Sequence, residues 1–251
     1  MPRAHNLEIQ GEVLHLTHRC HNRKRLLKFA RDRDAYRSRL REALGQYAVG
    51  LLDYCLTCNH IHLLVEAEER REISGLMQKV AGETARAYNR RKARQNAFWG
   101  DNYHATVVEG GGYLWRCLVY IELNMVRCGV VGHPRDWEWV GYREIIGERQ
   151  RYRLLDLERL VRRLGAASLE EVRRNLETTL SQRIAEGLLA REGCWTESLA
   201  VGSRAFLSAV EPQIQSRREI RVEEVASELW ALRESPIPYG LECPLKIVAK
   251  A

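Results

Sequence analysis

The stretch Cys58-Asn59-His60-Ile61-His62-Leu63-Leu64-Val65-Glu66 sets two histidines around one aliphatic residue and follows them with an apolar run. Aliphatic and β-branched residues fit a pleated, buried surface, so the run reads as a strand. Residues two apart on a strand share a face, which places the imidazoles of His60 and His62 side by side and turns Ile61 to the core. Two imidazoles on one rigid strand are a pair of metal ligands that needs no loop to be ordered. A second group lies between Leu118 and Arg127, where Tyr120 and Asn124 stand one helical turn apart with Arg116 and Arg127 flanking them. A tyrosine hydroxyl becomes a nucleophile where its surroundings steady the developing charge. An asparagine amide oxygen is a hard donor suited to Mg²⁺ or Mn²⁺. Each group taken alone has an ordinary structural reading, as hydrogen-bonded strand histidines and an amphipathic core tyrosine.

The elements that must position these residues follow from periodicity. Residues 12–19 alternate apolar and polar as a half-buried strand, 31–48 carry Tyr36, Leu40 and Leu44 at helical spacing, and 49–57 form a second strand. A tight turn through Cys58 and Asn59 makes a hairpin with the histidine strand. Residues 73–94 return to helix, Tyr103 to Glu109 read as a fourth strand ended by Gly110-Gly111-Gly112, and Tyr113 to Arg127 read as a helix stopped by Gly129. The order β-α-β-β-α-β with one extra helix is that of a ferredoxin-like α+β sandwich, an antiparallel sheet with helices on one face and the other face open to a ligand. From about Arg151 the texture becomes leucine- and arginine-rich and helical, and the tail after Glu234 is irregular. The division expected is 1–147 for the domain bearing the histidines and tyrosine, and 148–251 for a mostly α-helical C-terminal extension.

The 251 residues are 45% hydrophobic and 29% charged, a globular composition, and no apolar run approaches the roughly 18 residues of a membrane span. Seven cysteines spread over the chain and an N-terminus without an apolar signal core point to a reducing, cytoplasmic setting. Nearly all of the net charge of +7 belongs to the first 150 residues. It is concentrated in two clusters that include Arg19, Arg23, Lys24 and Arg25, and Arg90, Arg91, Lys92 and Arg94. Arginine forks suit phosphate, so these clusters, with Arg116 and Arg127, are candidate nucleic-acid contacts. The first cluster is expected near a sheet edge. Their ordinary reading is a solvated surface.

Together these residues resemble the HUH endonucleases, where U is a hydrophobic residue, and within them the REP-associated tyrosine transposases. The resemblance runs through Thr17-His18-Arg19-Cys20-His21-Asn22-Arg23, Thr57 to Glu66, Tyr88-Asn89-Arg90-Arg91-Lys92, Phe98 to Ala105, Tyr120 to Val131 and Trp137 to Arg143. The region Tyr152 to Gly202 is similar to an extension found in one branch of the family. The resemblance implies that His60, His62 and Asn124 bind a divalent cation, Mg²⁺ or Mn²⁺, and that Tyr120 is the nucleophile. It also implies a substrate of single-stranded or hairpin DNA, cleaved and rejoined through a 5′-phosphotyrosine. Monomer and homodimer both remain open. Two departures stand out: Thr57-Cys58 replaces a common Met-Pro, and Glu122 and Met125 stand where many members have His and Pro. Glu122, two residues from Tyr120, is expected to point away from the metal.

Other readings compete. Cys55 and Cys58 form a C-x-x-C, which lacks a second such pair to complete a zinc site. Trp99, Trp115, Trp137 and Trp139 are candidates for stacking on bases, or for core and interface positions. A non-catalytic hairpin-binding regulator would be expected to lack His60, His62 or Tyr120, and none is lost. An RNA-binding module is disfavoured because no aromatic pair stands out on the first and third strands.

Overall fold

The computed structural model describes residues 11–216 and 218–235. Four strands, β1 (Val13–Arg19), β2 (Gly50–Leu56), β3 (His60–Glu66) and β4 (His104–Val108), pair antiparallel in the order β2-β3-β1-β4. Helices α1 (Ala30–Leu44) and α2 (Arg70–Arg91) supply the two crossovers, giving the expected ferredoxin-like order. The chain is an α+β protein. Gly111, at φ +64°, makes the turn out of β4 that leads into α3 (Gly112–Glu122).

Side-chain parity along the strands sorts the molecule into two packed layers. Leu14 and Leu16 of β1, Leu51, Tyr54 and Leu56 of β2, and Ile61, Leu63 and Val65 of β3 pack with Tyr36 and Leu40 of α1 and Leu76, Met77 and Val80 of α2. Val13, Leu52, Cys55 and Leu64 face the other way, against Leu114, Leu118 and Ile121 of α3. Helices therefore cover both faces, where the sequence led us to expect one. The reason is in the strands: β2 is buried throughout and β3 almost so, because Leu51-Leu52 and Leu63-Leu64-Val65 are apolar in consecutive positions and need cover on each side.

The expected helix Tyr113–Arg127 is two pieces. Leu123, with ψ near 0°, separates α3 from α4 (Asn124–Arg127), and Gly129 stops the second piece at φ +66°. Beyond a short helix α5 (Tyr142–Ile145), the buried carboxylate of Glu144 anchors the chain. It accepts from the Tyr54 hydroxyl, the Arg37 guanidinium, and the backbone N–H groups of Leu154 and Leu155. Helices α6 (Leu157–Leu164) and α7 (Leu169–Ala185) follow, capped by Asp156 and Ser168, and pack on α3.

The C-terminal region then returns to the sheet. After α8 (Cys194–Glu197), strand β5 (Ala200–Gly202) pairs parallel with β4; α9 (Arg204–Val210) and the hairpin β6 (Ile220–Ala226)–β7 (Leu229–Glu234) complete seven strands in the order β2-β3-β1-β4-β5-β7-β6. The extension is thus helical and also a continuation of the sheet. The tail expected to be irregular lies outside the described residues from Pro236 onward.

Candidate functional site

Ile61 is buried in the layer beneath α1 and α2, and His60 and His62 lie on the opposite face of the same strand. Their ring centroids are 4.8 Å apart. Hydrogen bonds fix which nitrogen of each ring carries the proton. The Asn59 side-chain N–H₂ donates to the Arg23 carbonyl, so its Oδ1 faces His60 Nδ1 at 2.7 Å and accepts the proton held there. The lone pair of His60 is therefore on Nε2. Thr57 braces this turn by accepting from the His60 N–H and donating to the His60 carbonyl.

His62 is set by a longer relay. The Trp195 carbonyl can only accept, so His15 Nδ1 donates to it at 2.7 Å. His15 Nε2 then carries a lone pair and accepts from His62 Nδ1 at 2.9 Å. The lone pair of His62 is left on Nε2, 3.0 Å from the side-chain nitrogen of Asn124. The Asn124 Oδ1 is buried without a hydrogen-bond partner. A half-turn of the amide would bring that oxygen beside the same lone pair, the arrangement a shared cation requires. Two imidazole lone pairs and an orphaned amide oxygen fit a hard divalent cation with His, His and Asn as protein donors. Among the described residues no group of three or more His, Cys, Asp or Glu could hold a metal. Burial keeps all three imidazoles neutral and so competent as donors or relays: His15 is held down to about 4 and His60 to about 3, and His62 is well below its ordinary value.

Tyr120 projects from α3 onto this cluster, with its ring centroid 6.1 Å from His62 and 6.3 Å from His15. Only 2% of the residue is exposed. Burial raises its phenol above the ordinary value, and the positive charges of Arg127 and Arg191 oppose that rise. The Arg127 guanidinium sits 4.4 Å from the ring centroid and donates to the carbonyls of Leu189 and Tyr120. Asn124 stands one turn on, across the break at Leu123. Glu122 points elsewhere: it meets Asp53 in a buried pair, and no N–H or O–H of the described residues makes a well-formed hydrogen bond to either carboxyl. Burial raises both; the charge of Asp53 raises Glu122 further, while the contact with Glu122 works against the rise at Asp53.

A cleft of about 840 Å³ is lined by Thr17 and Arg19, the strand partners of His62 and His60, and by Arg23, Arg70, His104, Arg191 and Glu197 among others; His60, His62, Tyr120 and Asn124 lie outside its lining. The anticipated basic contacts divide around it. Arg19 and Arg23 line it, while Lys24 and Arg25 are exposed on the loop that follows β1. β1 is an inner strand, so this cluster sits at the end of the sheet and not at an edge. Arg90, Arg91, Lys92 and Arg94 lie outside the cleft near the C-terminus of α2. Arg91 pairs with Asp32, Arg94 donates to Asn89 and the Ala97 carbonyl, Lys92 lies over Phe29, and Arg90 is exposed. Arg116 lies one turn before Tyr120, toward Tyr113 and Cys194. The tryptophans are structural in their contacts: Trp99 stacks on His18 at 4.0 Å, and Trp137 and Trp139 flank the Arg33 guanidinium. Cys55 is buried beneath α3 and Cys58 lies half-buried at the turn, both as free thiols.

Sequence reasoning missed four residues that shape this site. His15 was one polar position in an alternating strand, although its parity with Thr17 and Arg19 is readable. Trp195, fully buried, and the pair Arg191 and Glu197 come from the C-terminal region, and only the pairing of β5 with β4 brings them here.

The fold is similar to that of a solved REP-associated tyrosine transposase bound to a REP hairpin, with a TM-score of 0.50 and 14% sequence identity. The match covers 59% of this chain and 86% of that one. Residues 10–124 match the family model of IS200-like transposases. No curated protein matches it.

Proposed function

We propose that the chain is a metal-dependent endonuclease and strand transferase that cleaves and rejoins hairpin-forming, REP-type DNA through a 5′-phosphotyrosine on Tyr120. One observation carries this reading most directly. Two histidines from β3, a tyrosine from α3 and an amide from α4 meet on one face of the sheet, and both histidines are hydrogen-bonded so that Nε2 is left as the donor atom.

Each group then has a chemical part. Tyr120 Oη attacks the scissile phosphorus, a new P–O bond forms to tyrosine, and the bond to the 3′-oxygen breaks. The phenol gives up its proton in the attack, and the 3′-oxygen leaves and takes up one proton as a hydroxyl, so the count is unchanged. The reverse attack by a 3′-hydroxyl on the phosphotyrosine rejoins the strand with the same bonds exchanged, so no external energy source is needed. His60, His62 and Asn124 would hold the divalent cation, Mg²⁺ or Mn²⁺, which supplies charge neutralisation at the phosphate when bound. Arg19 and Arg23 line the approach and neutralise backbone phosphates, which position DNA without reading its sequence. Such positioning and neutralisation account for most of the rate in phosphoryl transfer.

The alternative, a hairpin-binding regulator derived from a transposase, shares the basic cleft but needs no nucleophile. Incubation with a labelled hairpin oligonucleotide and Mg²⁺ or Mn²⁺, followed by a denaturing gel, separates the two. A covalent adduct that disappears in Tyr120→Phe is expected. DNA binding without any adduct, or an adduct undiminished in Tyr120→Phe, rejects the enzymatic reading.

A further inference from the structure

The cleft holds an ion pair that the nuclease reading does not use. Arg191 Nη2 donates to Glu197 Oε1 at 2.6 Å and to Thr196 Oγ1 at 3.1 Å. Both residues belong to the C-terminal region, and both are exposed at the cleft mouth. The positive charge of Arg191 also acts on Tyr120, opposing the effect of burial on the phenol. Glu197 is folded back over Gly193 to make this contact: a Cβ there would meet its Oε2 at 2.9 Å. Arg19, Arg23 and Arg70 line the same cleft, and among the described residues none of the three forms an ion pair with a carboxylate. The Glu197 oxygen on Arg191 Nη2 is an anionic acceptor of the kind that a non-bridging phosphate oxygen also presents to a guanidinium. Tyr120, meanwhile, is buried.

We propose that Arg191 is a catalytic arginine that grips the phosphate attacked by Tyr120, and that Glu197 occupies its place in the DNA-free protein as an internal substitute for that phosphate. The inference rests on the nuclease reading above. DNA entering the cleft exchanges one anion for another on Arg191, and the displaced Glu197 turns outward into solvent. The C-terminal region thereby contributes a reacting-centre charge to a site whose proposed nucleophile and metal ligands come from residues before 128. The exchange also makes the charge conditional: Arg191 is neutralised until a phosphate competes for it.

Two arms test this. In the first, the rate of adduct formation is measured on a labelled hairpin with a single-stranded extension. Arg191→Ala should slow it about 100-fold or more, the scale for loss of one donor to developing charge. Arg191→Lys should recover part of the loss, and Glu197→Gln should speed the reaction. In the second arm, every protein also carries Tyr120→Phe, and binding of the same oligonucleotide is followed by fluorescence anisotropy across a salt series. Arg191→Ala should flatten the slope of log K against log salt by about 0.7, one phosphate contact on a single strand. Glu197→Gln should tighten binding by roughly 3- to 10-fold, as removal of a competing like charge predicts. An unchanged adduct rate in Arg191→Ala, or Glu197→Gln that slows the reaction or weakens binding as Arg191→Ala does, overturns the proposal. If wild type forms no adduct, the nuclease reading fails, and the salt series still decides whether Arg191 holds a phosphate. Arg191 is exposed, so a thermal midpoint near wild type is expected and shows that Arg191→Ala is folded.

Discussion

The two faces of the sheet are equally buried and differ in almost every other respect. Beneath α1 and α2 the strands contribute Leu14, Leu16, Ile61, Leu63 and Val65, apolar groups that need only volume and contact. Beneath α3 and the C-terminal region the same strands contribute His15, Thr17, His62 and Asp53, buried polar groups that each require a partner. A two-residue period thus divides one set of strands into a layer that holds the protein together and a layer that holds reactive groups in place. The second layer is stable because its neighbours reach across from distant sequence, as the Trp195 carbonyl does for His15.

Adjacent residues give the sharpest test of that division. His62→Ala should abolish adduct formation, more than about 1,000-fold on the scale of lost transition-state charge stabilisation, and leave the protein folded. Leu63→Ala should cost about 2–5 kcal/mol in urea unfolding, the usual range for a cavity in a close-packed core, with the folded fraction still forming adduct. Equal effects of the two substitutions on both readouts would break the comparison.

Trp195→Ala probes the tie between the layers. The fully buried indole contacts Tyr120, donates to Glu192, and its residue's carbonyl orients His15. Loss of the ring should cost about 3–5 kcal/mol, and it should also slow adduct formation in the fraction that remains folded. Wild-type kinetics in that fraction would place the C-terminal region outside the working site.

His15→Phe keeps a flat ring and removes the acceptor for His62 Nδ1. Orienting partners of metal-bound histidines typically contribute 10- to 100-fold in affinity, so Mn²⁺ binding measured by calorimetry should weaken by about that factor. Unfolding should change much less than in Leu63→Ala. Unaltered Mn²⁺ affinity would reduce His15 to a packing residue.

The division was partly legible in the sequence. β1 to β4, α1, α2 and the stop at Gly129 followed from alternation, helical spacing and glycine, and the shared face of His60 and His62 followed from parity alone. The cover on both faces had a signal too, in the consecutive apolar residues of β2 and β3, outweighed by the expectation of an open sheet. The break at Leu123 had none, since neither proline nor glycine marks it. The role of Trp195, Arg191 and Glu197 was out of reach for a different reason. β5 is three residues long, and its partner β4 lies some 90 residues earlier. Local pattern carries no information about a pairing that only the assembled core selects.

The smallest effect belongs to the one buried pair that lacks such partners. Glu144 and the Asp53–Glu122 pair are all fully buried, and only Glu144 receives donors, four of them. Burial raises both Asp53 and Glu122, so the folded pair keeps protons that the unfolded chain releases in the ordinary carboxyl range. A raised folded value stabilises the native state below the unfolded one, and that stability is lost as pH rises toward the folded value, by about 1.4 kcal/mol per pH unit for each retained proton. The buried histidines act oppositely, since their depressed values cost stability as pH falls below about 6.5. Asp53→Asn leaves the histidines as they are and gives Glu122 an amide donor in an isosteric frame. The difference between Asp53→Asn and wild type therefore isolates the carboxyls. Urea midpoints at pH 5, 6.5 and 8 should show Asp53→Asn gaining on wild type as pH rises, with little effect on adduct formation. Parallel curves would mean that the pair is ionised at no cost and that some donor reaches it in solution.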